Sequence, residues 1–240
     1  VGIVEATYAE IKQQELKKNP YSCLSTADID VNPHQVEAFT FSLAAMKLGG
    51  AILADEVGLG KTIEAGLVLK YLLNSGSQKI LLVMPSNLRK QWQVELDEKF
   101  EVESIIVESG NWDEYKSYVK NESAVVIVSY NFASRRKSEF TKVPWSFCIF
   151  DEAHRLRNVY KNGSKMASNL YELTEGIPKL MLTATPMQNS LFDLFGLIQF
   201  IDERIFYSKA VFSDRYIKNE QYEDLRHQVN AVLQRTLRKE

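Results

Sequence analysis

The chain has 240 residues, 45% of them hydrophobic and 25% charged, which is ordinary for a globular protein able to bury a substantial core. A formal net charge of −2 argues against a uniformly basic surface for nucleic acid and leaves room only for a local basic track. No apolar run approaches the ~20 residues that a membrane-spanning helix needs, no leader is visible, and two cysteines, Cys23 and Cys148, cannot make a disulfide framework or metal cluster, so the expected location is cytoplasmic.

In chain order, Pro33–Leu48 reads as a helix, with Asn32 at the cap and Pro33 in the first turn. Six short, nearly continuous apolar runs follow: "AILAD" (51–55), "KILLVM" (79–84), "ESIIV" (103–107), "AVVIVS" (124–129), "FCIFD" (147–151) and "KLMLT" (179–183). Such runs suit parallel strands covered on both faces. Helical stretches such as Ile63–Leu73, Leu88–Phe100 and Ser164–Leu173 lie between them, which predicts an α/β domain with right-handed crossovers. After Pro186 the pattern becomes helical: "NSLFDLFGLIQFI" (189–201) is an apolar helix. Residues 219–238 read as an amphipathic helix from the spacing of Tyr222, Leu225, Val229, Val232, Leu233 and Leu237. With no repeat or linker, a single domain with helical additions at 1–48 and 189–240 is expected. The chain starts without Met and stops inside a helical pattern, so it reads as a domain of something longer.

Two segments carry chemistry. "LADEVGLGKTIEAG" (53–66) matches the second half of the phosphate loop G-x-x-x-x-G-K-[ST], although Asp55 and Glu56 stand where that loop begins with glycine. Gly58 and Gly60 free the backbone to turn N–H groups toward an anion at a helix start, Lys61 offers a charge to phosphates, and Thr62 a hydroxyl to Mg2+. "FCIFDEAH" ends a strand in Asp151 and Glu152, at the sheet edge where open α/β folds bind ligands. Asp151 can hold Mg2+, and Glu152 can orient or deprotonate an attacking water. The competing readings are a chance turn and a solvated acidic strand end; the two segments together favour the nucleotide.

"DEVGLGKTIEAGLVL" with "DEAHRLRN" resembles the SWI/SNF-related branch of the superfamily-two helicases, especially its bacterial members, including those associated with RNA polymerase. In that branch the loop begins with Asp, so the resemblance accounts for Asp55. It extends over most of the chain: "PHQ" (33–35), "VMPSNLRKQW" (83–92), "IVSYN" (127–131), "LTATPMQN" (182–189), "DLFGLIQFID" (193–202) and "VLQRTLRKE" (232–240) are similar to further family segments in order. The resemblance implies a RecA-like P-loop lobe with a central mostly parallel sheet. That lobe would be the first of two in an ATP-driven, DEAH-box translocase that remodels protein complexes on double-stranded DNA, with ATP and Mg2+ as cofactors.

It assigns ATP binding to Gln35, Asp55, Glu56, Val57, Gly58, Leu59, Gly60, Lys61 and Thr62, and metal binding to Thr62 and Asp151. Catalysis falls to Lys61, Asp151 and Glu152, and coupling to His154, Thr183 and Thr185. Nucleic-acid contact falls to Ser86, Asn87, Ser129, Tyr130 and Asn131. The basic run Arg135-Arg136-Lys137 reads as either a nucleic-acid contact or a solvated face, Trp92 as a core anchor, and His227 as an exposed helix residue. A second lobe of the full protein should supply an arginine finger, so this lobe alone should turn over ATP poorly. An autonomous kinase or GTPase is disfavoured by Gln35, "DEAH" and the absence of an N-K-x-D-like guanine reader. A non-catalytic interaction module is disfavoured by intact Lys61, Asp151 and Glu152.

Overall fold

A computed structural model describes residues 31–56 and 60–236 of the chain. Its helices and strands, in chain order, are α1 (Pro33–Ala45), β1 (Gly50–Leu53), α2 (Lys61–Asn74), β2 (Lys79–Met84), α3 (Arg89–Phe100), β3 (Ile105–Ile106), α4 (Trp112–Asn121), β4 (Ala124–Ser129), α5 (Tyr130–Arg135), α6 (Lys137–Phe140), β5 (Phe147–Asp151), α7 (Lys165–Leu173), β6 (Lys179–Leu182), α8 (Leu191–Ile201), α9 (Lys209–Phe212), α10 (Tyr222–Asn230) and β7 (Leu233–Gln234). Val57, Gly58, Leu59, Cys23 and residues 237–240 lie outside the described residues.

The strands form one sheet in the order β3-β4-β2-β5-β6-β1-β7, every pairing parallel. Helices cover both faces, which is why the strands are apolar on both sides. One core layer gathers Leu81, Val83, Phe150 and Met181 against Phe195, Phe200 and Trp112. The other gathers Leu53, Leu82, Ile149 and Leu182 against Phe39, Leu67, Trp92 and Phe100. Alternate residues of β2 and β5 therefore face opposite layers, as strand geometry requires.

The predicted strands appear at their places, trimmed at the edge: "ESIIV" keeps only Ile105–Ile106, which pair β4 alone. The helix expected over 219–238 is a correction. It ends at Asn230, and Leu233–Gln234 form a strand beside β1. The cause is the outer edge of β1, whose amides need acceptors: Ile52 N donates to Val232 O (2.7 Å) and Ala54 N to Gln234 O (2.8 Å). Among the described residues no helix is long and apolar enough to cross a membrane.

Candidate nucleotide site at the strand ends

In a parallel sheet all strands point the same way, so the loops after β1, β5 and β6 emerge on one edge. Register fixes their alignment: Leu182 at the end of β6 lies between Leu53 of β1 and Asp151 of β5. The loop after β1 thus faces the carboxylate after β5 across one strand. Burial raises the Asp151 pKa, and the charge of Lys61 acts on it weakly in the opposite sense.

Gly60 takes the left-handed backbone, φ 89°, and opens α2, with Ile63 N and Glu64 N donating to its carbonyl. The left-handed backbone is what favours glycine there; a Cβ would also stand 2.5 Å from Gln35 Nε2, the end of a flexible side chain that would have to move aside. Gln35 is buried, and its Oε1 accepts from Asn32 N at 3.0 Å, capping α1. Lys61 Nζ donates to the carbonyls of Asp55 (2.7 Å) and Glu56 (3.1 Å).

The Asp55 side chain is fully buried, and Oδ1 accepts the N–H of Thr236, beyond β7. The aspartate at the first loop-glycine position therefore ties the start of the loop to the segment that follows the last strand. Its other oxygen and both oxygens of buried Glu64 lack a conventional donor. Burial first, then the neighbouring Asp55 charge, pushes Glu64 up to about 9, against the weaker pull of Lys61. A protonated Glu64 is itself the donor that Asp55 lacks.

This pair has a pH signature. Glu64 is neutral in the folded protein and ionised in the unfolded chain between about pH 4.5 and 9. The folded state binds the extra proton, so stability from this group is full below the unfolded pKa and is lost as pH rises toward the folded one. The unfolding free energy of wild type, from denaturant curves, is expected to fall relative to that of Glu64→Gln across that window, by up to ~1.4 kcal/mol per pH unit. Parallel curves from pH 5 to 9 for the two proteins refute a protonated Glu64.

Asp151 is nearly buried, and burial raises its pKa, opposed by hydrogen bonds from Trp92 Nε1 to Oδ2 (2.9 Å) and Glu152 N to Oδ1 (2.8 Å). Glu152 holds the left-handed conformation at φ 52°, which a non-glycine residue adopts at a cost and which is common at functional sites. Its Oε2 lies 3.1 Å from His154 Nδ1, close but poorly directed for a hydrogen bond. Burial lowers the His154 pKa, and the Glu152 charge works against that.

Thr183 is buried and its hydroxyl accepts from Thr185 N (3.2 Å), on its own loop, while Thr185 is exposed. Sequence reasoning missed the residue that holds this loop. Asp193 in the first turn of α8 accepts the N–H groups of Gln188 (3.1 Å) and Asn189 (2.9 Å). Burial opposes its charge, yet those amides and Arg157 keep its carboxyl below the usual range. An acid in a helix's first turn was the available signal.

Ser86, Asn87 and Asn131 are exposed on the same edge, after β2 and β4. Ser129 spends its hydroxyl capping α5, accepting from Phe132 N. Tyr130 is a second correction: its ring is 2% exposed and its OH donates to the Asp151 carbonyl (2.7 Å), so this side chain cannot meet a nucleic acid. Arg136 pairs with Glu139 and Lys137 with Glu172, leaving Arg135 exposed in that basic run; His227 is exposed as expected.

Mg2+ fits this edge. Among the described residues no cluster of three metal-ligating side chains exists. Mg2+ at nucleotide sites takes only one or two protein oxygens and the phosphates, which Asp151 and Thr62 can provide.

The family model described as SNF2-related domain matches residues 34–240. An uncharacterised ATP-dependent helicase of Bacillus subtilis (strain 168), YqhH, is 37% identical over 216 residues, covering 86% of this chain and 36% of its own length. The chain thus spans about a third of that curated relative. The Sulfolobus solfataricus SWI2/SNF2 ATPase core, solved in complex with dsDNA, is similar in fold, with a TM-score of 0.74 and 22% identity, over 89% of this chain and 46% of that one.

Proposed function

Because the chain belongs to the SNF2-related domain family, we propose that it is the ATP-binding lobe of a DNA-stimulated ATPase that moves on duplex DNA and remodels complexes there. The observation that carries this reading is the alignment of the Lys61 loop with Asp151 across β6 on one sheet edge. Lys61 leaves its two loop carbonyls for the β- and γ-phosphates, helped by the amides at the start of α2. Gln35 meets the adenine through its amide, which already lies beside Gly60. Asp151 and Thr62 would hold Mg2+, which would supply positive charge to neutralise the phosphates. Glu152 orients the attacking water and takes its proton. His154, Thr183 and Thr185 relay the nucleotide state, and Ser86, Asn87, Ser129 and Asn131 meet DNA phosphates through backbone N–H groups and short polar side chains. A second lobe of the full protein completes the site with an arginine, worth on the order of 10³–10⁵ in turnover in comparable enzymes. The lobe alone therefore binds ATP and hydrolyses it slowly.

Thermal stability with nucleotide tests this on the chain itself. Mg-ATP at 100 times its Kd should stabilise by ~2.7 kcal/mol. Mg-GTP should not, and Lys61→Ala should abolish the ATP effect. Preference for GTP would point to a GTPase, and no response to either nucleotide to an interaction module. In the two-lobed protein duplex DNA raises the ATPase rate; stimulation by single strands or RNA alone contradicts the duplex assignment.

A further inference from the structure

Three hydrogen bonds fix Asp151 in place, and two come from far along the chain. Trp92, in the first turns of α3, gives its indole N–H to Oδ2 at 2.9 Å. Tyr130, the first residue of α5, gives its hydroxyl to the Asp151 carbonyl at 2.7 Å. Both side chains are buried, at 3% and 2% exposure. The Tyr130 ring is held on one side by Phe150, with centroids 6.3 Å apart, and Arg155 sits over it at 5.9 Å. The third donor, Glu152 N, takes Oδ1. Each carboxylate oxygen thus has one donor and keeps further lone pairs for a cation.

The origins of the two distant donors matter. Trp92 follows the exposed Ser86-Asn87 turn by one helical turn, and Tyr130 stands between Ser129 and exposed Asn131. A buried indole or phenol needs an acceptor wherever it packs, so packing alone could explain either bond. It does not explain why both donors, from two different crossovers, end on the same strand-end aspartate.

We infer that Trp92 and Tyr130 are positioning residues that orient Asp151 toward the cation, and that through them the segments after β2 and β4 bear on the metal side of the nucleotide site. This rests on the nucleotide reading above. Trp92 is an outer-shell donor to the carboxylate itself, a contact whose loss typically weakens metal affinity or activity tenfold or more, and Tyr130 fixes the main chain that carries that carboxylate.

The test uses the 15N-labelled chain, whose three tryptophans give three indole N–H resonances. Trp92→Phe assigns the relevant one. ATP is added in EDTA, then Mg2+. The Trp92 resonance is expected to move on Mg2+ addition more than those of Trp112 and Trp145. In calorimetry well below the melting temperature, Tyr130→Phe, which removes a single oxygen, should reduce the Mg2+-dependent gain in ATP affinity on the order of tenfold. ATP affinity in EDTA should not change. Trp92→Phe should act in the same way if it remains folded; Tyr130→Phe carries the test if it does not. Wild-type Mg2+ dependence in Tyr130→Phe, or equal losses with and without Mg2+, reduces both residues to packing and overturns the inference while ATP binding stands. A wild-type chain that binds no ATP under either condition overturns the nucleotide reading and this inference together.

Discussion

Replacing Glu152 by Gln in the two-lobed protein is expected to lower DNA-stimulated ATP turnover by two to four orders of magnitude, the range associated with a lost general base. The substitution keeps the side chain's size and the backbone N–H that holds Asp151 Oδ1. It removes the charge that faces His154 Nδ1 from 3.1 Å. Mg-ATP binding, followed by thermal stability, should be kept, because the proposed role is in the chemical step. Binding preserved with turnover lost assigns Glu152 to the reaction. Turnover within threefold of wild type removes it, and a parallel loss of binding makes it a ligand of the nucleotide instead. Steady-state hydrolysis with saturating duplex and the melting shift with Mg-ATP together distinguish these outcomes.

The second large effect concerns stability. Gly196 lies in α8 where that helix crosses the turn that carries His154. A Cβ on it would stand 1.8 Å from the Arg157 carbonyl oxygen, 2.7 Å from its carbon and 3.2 Å from its Cα. All three are backbone atoms, so no side-chain rotation relieves the overlap. Gly196→Ala should therefore cost at least the upper end of overpacking, about 3 kcal/mol. For a chain of this size that is a fall in melting temperature of roughly 6–12 °C. Gly110→Ala is the control, since a Cβ there meets nothing within 4 Å, and it should stay within ~0.5 kcal/mol of wild type. Equal melting of the two variants means that α8 does not cross the turn this closely. The site should feel the change as well, because Arg157 supports Asp193 and, through it, the Gln188–Asn189 amides.

Much of the fold was legible because strands buried on both faces carry their signal in every residue: Ile80–Met84 and Val125–Val128 are apolar throughout. The phosphate loop and "DEAH" could be read locally too, since a lysine at a helix start and an acid at a strand end declare their chemistry within eight residues. What escaped is long in range. The bond from Thr236 to Asp55 spans 181 positions, that from Trp92 to Asp151 spans 59, and that from Tyr130 spans 21. Tyr130 is assigned to nucleic acid by its place after a strand and by resemblance, whereas its ring packs on Phe150 and its hydroxyl bonds the Asp151 carbonyl. Leu233 fitted a helical period until the open edge of β1 claimed its backbone.

The neighbours of β1 also bear on the order in which the molecule is built. Among the described residues β1 pairs with β6 and β7 alone, whose residues come more than 120 positions later. Within this sheet β1 is therefore made before its partners, while β2, β4 and β5 can pair with one another before β6 and β7 exist. Long-range parallel pairing is slow to form and exposes apolar edges meanwhile. A nascent chain halted before Lys179 would lack both described partners of β1, so competence to grip a triphosphate should appear only after β6 has been made.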